Sequence, residues 1–272
     1  MLKVIFFCLF ILTGNFCHSQ NAGISPAGPV SLGLGGARTA LSNPWSIFNN
    51  PAGLGDLKGI SGVFAYQTIL NFAPFNTVSA AVNAKTPYGV TSFGVYKFGD
   101  DVFSTQMASL GFARKLGIMT LGVKANILQY DIAGFGKRSV FLAEMGGIAN
   151  LTPQLNFGAH IYNVTQSVVA QETQEKVPIL IRMAINYKLS DELELFIEGE
   201  KDVERDAEFY LGLSYQLIEA LTLRTGFATQ TNRYSFGAGI HIKKFIVDYA
   251  VSPDSGIGAT HNFGLTYQFG NG

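Results

Sequence analysis

The chain has 272 residues, of which 14% are charged and 12% are aromatic, and its formal net charge is zero. Soluble domains carry about 25% charged residues, so the composition argues against an ordinary soluble protein, and the balanced charge argues against a nucleic-acid partner. The 31 glycines fit a chain with many small residues at the bends of its strands.

The first residues have the pattern of an export signal. Lys3 supplies a positive charge, and residues 4–12 form an apolar core. That core is too short to cross a bilayer, which needs about 20 residues in a helix, so we predict a signal peptide over residues 1–20. Cys8 and Cys17 both fall within it, so the mature chain should contain no cysteine. A lipid-modified Cys17 is the alternative, but a bulky residue precedes it where a small one is expected.

The segment 21–58 comes next and is rich in Gly, Pro, Ser and Asn, with a helical turn predicted around residues 37–41. Within it, the run Asn50, Pro51, Ala52 and Gly53 is typical of a tight turn. Proline fixes its own φ, glycine permits an unusual φ, and asparagine bonds its own backbone. The run therefore predicts a turn that leads into the first strand.

From residue 59 onward, apolar residues alternate with small or polar ones, as in strands whose two faces meet different surroundings. Tight turns alternate with longer loops between them, which is typical of bacterial outer-membrane barrels with an even number of strands. We predict fourteen strands, near 60–69, 77–86, 90–98, 105–115, 118–130, 138–149, 154–164, 178–188, 192–201, 207–217, 221–230, 234–243, 244–251 and 259–269.

The predicted strand 192–201 is rich in acidic residues. A charge on the lipid face costs about 2–4 kcal/mol near the bilayer midplane, so these side chains should face the lumen or lie near the rims, with Lys124, Arg182, Lys188 and Arg224 as inward partners. One interpretation is an acidic wall that selects cations or holds segment 21–58 through Arg38 or Lys58. The other is an ordinary solvated inner face. The acidic residues are Glu192, Glu194, Glu198 and Glu200.

The last strand shows the clearest alternation in the sequence. One of its faces carries Phe263, Leu265, Tyr267 and Phe269, while small and polar residues fill the other. We predict that the aromatic row faces lipid. The row also resembles the C-terminal signal that the barrel-insertion machinery reads, although three residues follow Phe269.

The histidines form no catalytic or metal-binding pattern. His160, His241 and His261 lie on separate predicted strands without a paired spacing, so no metal site and no cofactor are predicted. Ser214 and Ser235 are available as nucleophiles, but no spacing relates either to a histidine. We predict that the protein is not an enzyme.

Motifs at both ends of the chain resemble those of a known group. They are Gly35-Gly36-Ala37, Asn50-Pro51-Ala52-Gly53-Leu54 and Val247-Asp248-Tyr249-Ala250. With them the chain resembles the FadL-like superfamily of outer-membrane barrels, and within it the PorV/PorQ type associated with type IX secretion. The resemblance implies that segment 21–58 enters the lumen as a plug or hatch, with residues 50–53 at its junction with the barrel.

The predicted fold is all-β, a closed antiparallel transmembrane barrel over 59–272 with a plug-like N-terminal segment. The predicted location is the bacterial outer membrane, with lipid, the insertion machinery and other outer-membrane or periplasmic proteins as partners. The resemblance implies a non-enzymatic accessory or scaffold role in type IX secretion. The alternatives are an aqueous channel or a FadL-like passive transporter of hydrophobic compounds, which needs an apolar internal pocket and a gap in the wall.

Overall fold

The computed structural model describes residues 28–69, 73–170, 175–203, 205–254 and 258–269. The predicted signal peptide at 1–20, including both cysteines, lies outside these residues. In the described part of the chain, no helix is long and apolar enough to cross a membrane.

Fourteen strands of the described chain form one closed antiparallel barrel, as predicted. Strands that follow one another pair along the wall, and the first strand closes on the last, with Ile60 opposite Phe269. The strands are β1 (Ile60–Ile69), β2 (Thr77–Thr86), β3 (Gly89–Gly99), β4 (Phe103–Leu116), β5 (Met119–Ile132), β6 (Gly136–Asn150), β7 (Leu155–Tyr162), β10 (Leu180–Lys188), β11 (Leu193–Asp202), β12 (Glu208–Ile218), β13 (Leu221–Ala228), β14 (Arg233–Ile242), β15 (Phe245–Asp254) and β16 (Gly258–Phe269).

Two short strands stand apart from the wall. β8 (Val168–Ala170) and β9 (Glu175–Lys176) pair with each other in the connection between β7 and β10, where the sequence predicted only a loop. That connection lies at the end of the barrel that carries the longer loops, which we call the loop end. The opposite end, with the tight turns and with Ile60 and Phe269, is the turn end.

The outer face of the wall is apolar and exposed. Phe64, Phe93 and Leu110 are 50–58% exposed, as lipid contact requires. On β16, Phe263, Leu265 and Phe269 point outward, and Tyr267 packs between Phe245 and Phe269 with ring centroids 4.7 and 4.6 Å away. The aromatic row thus occupies the outer face. That the insertion machinery recognises this row stays a prediction.

Residues 28–58, here called the inner segment, lie inside the barrel. The segment contains helix α1 (Gly28–Gly33) and two 3-10 helices, Pro44–Phe48 and Pro51–Asp56, in its described residues. It contacts inward-facing glycines on β3 to β7, β12 to β14 and β16. A Cβ atom at Gly226 of β13 would lie 2.1 Å from the carbonyl carbon of Leu34, and one at Gly122 of β5 would lie 2.3 Å from the nitrogen of Ala52. The wall glycines therefore make room for the backbone of the segment.

Around residues 37–41, where a helical turn is predicted, the chain makes a single turn, in which the nitrogen of Leu41 donates to the carbonyl oxygen of Arg38 at 3.3 Å. The helix lies earlier, at Gly28–Gly33, and it ends where Gly35 and Gly36 take φ angles of 74° and 112°. The backbone N–H groups of Arg38 and Thr39 then donate to the side chain of Glu198. A contact with the wall, more than 150 residues away, decides the local conformation here.

Candidate functional site

The inner segment is attached to β11 through one carboxylate. Glu198 is 1% exposed, and its Oε2 accepts from the backbone nitrogens of Arg38 and Thr39, both at 2.7 Å. Its Oε1 accepts from the Thr39 hydroxyl at 2.8 Å. Hydrogen bonds to an ionised acceptor are short and strong, so Glu198 is the best-connected anchor between segment and wall.

The other predicted glutamates have three different environments. Glu200 faces the lumen, where it forms ion pairs with Arg182 and with Arg38 Nη2, the latter at 3.3 Å. Glu194 lies nearer the turn end and accepts from Asn186 Nδ2 at 3.1 Å. Glu192 lies at the rim and not on the lumen face, because β11 begins only at Leu193. It is exposed in the preceding turn, where Ser190 donates to it at 2.9 Å.

A second anchor lies on β5 and β6. Lys124 Nζ donates to the carbonyl oxygen of Ile47 at 2.9 Å and pairs with Glu144 Oε1 at 2.8 Å. Glu144 Oε2 lies 3.0 Å from His160 Nε2, and His160 Nδ1 lies 3.2 Å from Arg182 Nη1. Buried charges need such partners to offset the loss of water. The network joins β5, β6, β7, β10 and β11 around the inner segment.

Asn50 forms the third anchor, at the predicted junction. Its side chain is fully buried, and its Nδ2 donates to the carbonyl oxygens of Thr39 at 2.7 Å, Ala159 at 3.2 Å and Gly147 at 3.3 Å. Its Oδ1 accepts from the nitrogen of Ala52 at 3.1 Å and so caps the 3-10 helix that starts at Pro51. One amide thus orders the segment locally and ties it to β6 and β7.

Gly53 has a different role from the one predicted. It is not among the glycines with a positive φ, so the expectation of an unusual backbone angle is wrong. A Cβ atom at this position would lie 2.1 Å from the carbonyl oxygen of Leu41 and 2.4 Å from Ser46 Oγ. Glycine is needed for close packing within the inner segment.

The loop end of the lumen is apolar on one side. Inward-facing residues of β3 to β7, together with residues at the start of β10, pack into a buried group that we call the loop-end cluster. Each member is at most 7% exposed, and Phe98, Tyr130 and Val169 pack against the group. The members are Tyr96, Met107, Leu128, Val140, Leu142, Tyr162, Val177 and Leu180.

The wall beside this cluster has an interruption. Within the described residues, β6 pairs with β5 along its whole length but with β7 only from Met145 to Asn150. The chain leaves the wall after Tyr162, at Asn163 with a φ of 56°. We call the stretch of β6 without a β7 partner, residues 136–144, the β6 seam.

The connection after β7 covers the β6 seam with a few hydrogen bonds. The nitrogen of Val164 donates to the carbonyl oxygen of Ala143 at 2.9 Å, and the nitrogen of Ala143 donates to Thr165 Oγ1 at 3.3 Å. Beside the seam, the outer face bears an apolar groove of about 450 Å³, lined by Leu110, Phe112, Val123, Ala125, Met145 and Val164.

The seam was not predicted from the sequence. The seventh predicted strand extends to residue 164, whereas β7 ends at Tyr162. The polar run that follows, Asn163 to Ser167, was the available signal. The Asn163 side chain accepts from the nitrogen of Ser167 at 3.0 Å and donates to the carbonyl oxygen of Val177 at 2.8 Å.

Histidine 160 belongs to the buried network, whereas His261 lies on β16 with its Nδ1 2.7 Å from the hydroxyl of Tyr249. Among the described residues, no group of three or more His, Cys, Asp or Glu side chains is arranged to hold a metal ion. The described lumen thus contains the three anchors of the inner segment and the loop-end cluster.

No protein-family model matches the sequence, and no curated protein is found as a relative. Solved structures do match. The Ralstonia pickettii toluene transporter TbuX is 13% identical, with a TM-score of 0.72 over 91% of this chain and 99% of that one. The P. putida toluene transporter TodX is 10% identical, with a TM-score of 0.68 over 92% and 100% of the two chains. The monoaromatic hydrocarbon channel CymD is 12% identical, with a TM-score of 0.67 over 90% and 98%. The chain shares the barrel fold of these proteins.

Proposed function

We propose that the protein is a passive transporter of small hydrophobic compounds in a bacterial outer membrane. The observation that carries the proposal is the loop-end cluster, an apolar lining inside the lumen that lies beside the β6 seam. A water-filled channel needs a polar lumen. An apolar cluster there suits a compound that leaves water for an apolar surface.

The seam provides the second step of the proposed route. Opening a wall between two fully paired strands breaks a long ladder of backbone hydrogen bonds, each of them costly to lose in lipid. At the β6 seam, the described residues of the connection after β7 hold the edge by fewer hydrogen bonds, among them the one from the nitrogen of Val164 to the carbonyl oxygen of Ala143. A compound released there would reach the apolar outer groove and then the bilayer.

The comparisons favour this function over an accessory role. TbuX and TodX are toluene transporters and CymD is a monoaromatic hydrocarbon channel, which supports a FadL-like transporter as the closer functional model. By analogy, the proposed substrates are small apolar molecules. The accessory role in type IX secretion stays a prediction of the sequence resemblance.

We further propose that the inner segment acts as a plug. Its anchors at Glu198, Lys124 and Asn50 attach it to one side of the wall, on strands between β11 and β5, and its backbone lies against glycines of β5 and β13. A segment held in this way would block water and solutes that enter from the turn end. This favours lateral release over a simple aqueous channel.

A disulfide across the β6 seam tests the route. The protein with Ala143→Cys and Val164→Cys would be expressed in the outer membrane of a bacterium without its own toluene transporter. We expect oxidation to reduce uptake of radiolabelled toluene to the level of cells without the protein, and a reductant to restore it, because the seam can then open again.

A matched disulfide in the intact wall provides the control. Ala149 and Phe157 are paired neighbours on β6 and β7, and the corresponding cysteine pair should leave uptake unchanged. Unchanged uptake with the seam disulfide would rule out release at the seam. Failure of the unmodified protein to raise uptake at all would rule out transport.

A further inference from the structure

We infer that the loop-end cluster selects neutral aromatic compounds that carry one hydroxyl group, of the phenol or cresol type, and that Tyr162 is the residue that recognises the hydroxyl. The inference rests on the proposed transport function and narrows its substrate class. The proposed substrates differ from the plain hydrocarbons named for the similar structures, because their recognition depends on a polar atom in this chain.

The polar atom is the hydroxyl of Tyr162. Tyr162 is the last residue of β7, and its side chain is 2% exposed within the loop-end cluster, which includes Leu142 and Leu180. Among the described residues, the hydroxyl has no hydrogen-bond partner. A buried hydroxyl without a partner is unfavourable and rare in folded proteins. A ligand that brings its own hydroxyl would satisfy it.

A second hydroxyl faces the same side of the lumen. Thr105 of β4 is fully buried, and its Oγ1 likewise has no partner in the described chain. In the barrel it lies between Phe98 of β3 and Tyr130 of β5, which both pack against the loop-end cluster. Aromatic rings beside isolated hydroxyls are the surroundings that a phenol matches, since its ring packs against rings and its oxygen donates and accepts.

Charge distinguishes a phenol from a carboxylic acid. The buried cations of the lumen network, Lys124 and Arg182, already pair with Glu144 and Glu200. Arg138 is opposite Tyr130 in register but is exposed at the loop end. Because the carboxylates of the network already balance both buried cations, a ligand carboxylate buried at Tyr162 would add an uncompensated charge, even though Arg182 Nη2 has no hydrogen-bond partner in the described chain. Burial of such a charge is strongly unfavourable. The burial of a neutral hydroxyl costs much less free energy.

The cluster is closely packed, so a ligand must displace side chains when it binds. Met107 is the member best suited to move, because its unbranched thioether adapts to irregular spaces. Tyr162 sits at the point where the chain leaves the wall, next to the β6 seam. Recognition of the hydroxyl would therefore take place directly before release.

The test compares p-cresol with toluene, which differ only by the hydroxyl. Binding of each radiolabelled compound to the full-length protein in detergent would be measured by equilibrium dialysis for the natural sequence and for Tyr162→Phe. The substitution removes one oxygen and no packing atom. We expect the substitution to weaken the binding of p-cresol about fivefold, which is the effect of one hydrogen bond. The binding of toluene should not change.

Tyr66→Phe is the matched control, because Tyr66 lies on the outer face and is 37% exposed. The Tyr66→Phe substitution should change neither the affinity for p-cresol nor the affinity for toluene. Equal effects of Tyr162→Phe on both compounds, or no effect on p-cresol, would overturn the inference and leave transport standing. Absence of binding by either compound to the natural protein would remove both proposals.

A measurement on the natural protein alone covers the case in which the variant does not fold. The affinity ratio of p-cresol to toluene would be compared with the ratio of their partition into cyclohexane, which offers no hydrogen bond. A ratio at least about tenfold above that of cyclohexane supports a hydroxyl partner in the site. A ratio that equals the cyclohexane value means a wholly apolar site and contradicts the inference.

Discussion

At the scale of single residues, one buried carboxylate makes hydrogen bonds that its position in the sequence does not suggest. Glu198 satisfies two backbone N–H groups and one hydroxyl of the inner segment. The alternation along β11 was enough to predict that Glu198 and Glu200 face the lumen. The partners of Glu198 were not predictable, because backbone groups of residues 38 and 39 leave no trace in a sequence pattern.

Removal of this carboxylate should release the inner segment. Glu198→Ala leaves three donors without an acceptor, and each unsatisfied buried donor costs about 1–3 kcal/mol. We therefore expect the free energy of unfolding in lipid vesicles to fall by at least about 3 kcal/mol. Trypsin should then cleave after Arg38, which the natural protein shields. Glu192→Ala is the control, because Glu192 is exposed in a turn. Equal cleavage of both variants would contradict the role of Glu198 as an anchor.

At the scale of elements, the fourteen wall strands were predictable, whereas the conformation of the inner segment was not. Period-two alternation marks each strand, because one face meets lipid and the other meets the lumen. The inner segment has no such period: its helix ends at Gly33, before the positive φ angles of Gly35 and Gly36, and its 3-10 helices depend on caps from Asn43 and Asn50. Its conformation follows the shape of the wall that surrounds it.

A methyl group on the inner wall should disturb that fit. Gly226→Ala places a Cβ atom 2.1 Å from the Leu34 backbone, and overpacking of this kind costs about 1–3 kcal/mol. We expect faster hydrogen exchange throughout the inner segment. Gly62→Ala is the control, since a Cβ atom there meets nothing nearer than 3.6 Å. The same exchange rates in both variants would show that the wall tolerates the extra atom.

At the scale of the whole molecule, the fold depends on the meeting of the first and last strands. β1 pairs with β16 over ten residues, from Ile60 with Phe269 to Ile69 with Thr260. Phe269 lies on the outer face at the turn end of this pair, so a charge at its position would meet lipid. Phe269→Asp should therefore lower the amount of heat-resistant barrel in outer-membrane fractions, while the neighbouring Gln268→Asp should have a smaller effect. Normal levels of Phe269→Asp would contradict a role of the aromatic row in insertion.

The glycines that line the barrel have a consequence for how such a protein can change during evolution. Each backbone contact, such as the one between Leu34 and Gly226, ties a position before the first strand to a position deep in the sheet. Neither position can drift alone without loss of fit. The inner segment is therefore not a portable module, and a chimaera that combined it with the wall of a distant homologue would need matching replacements on both sides.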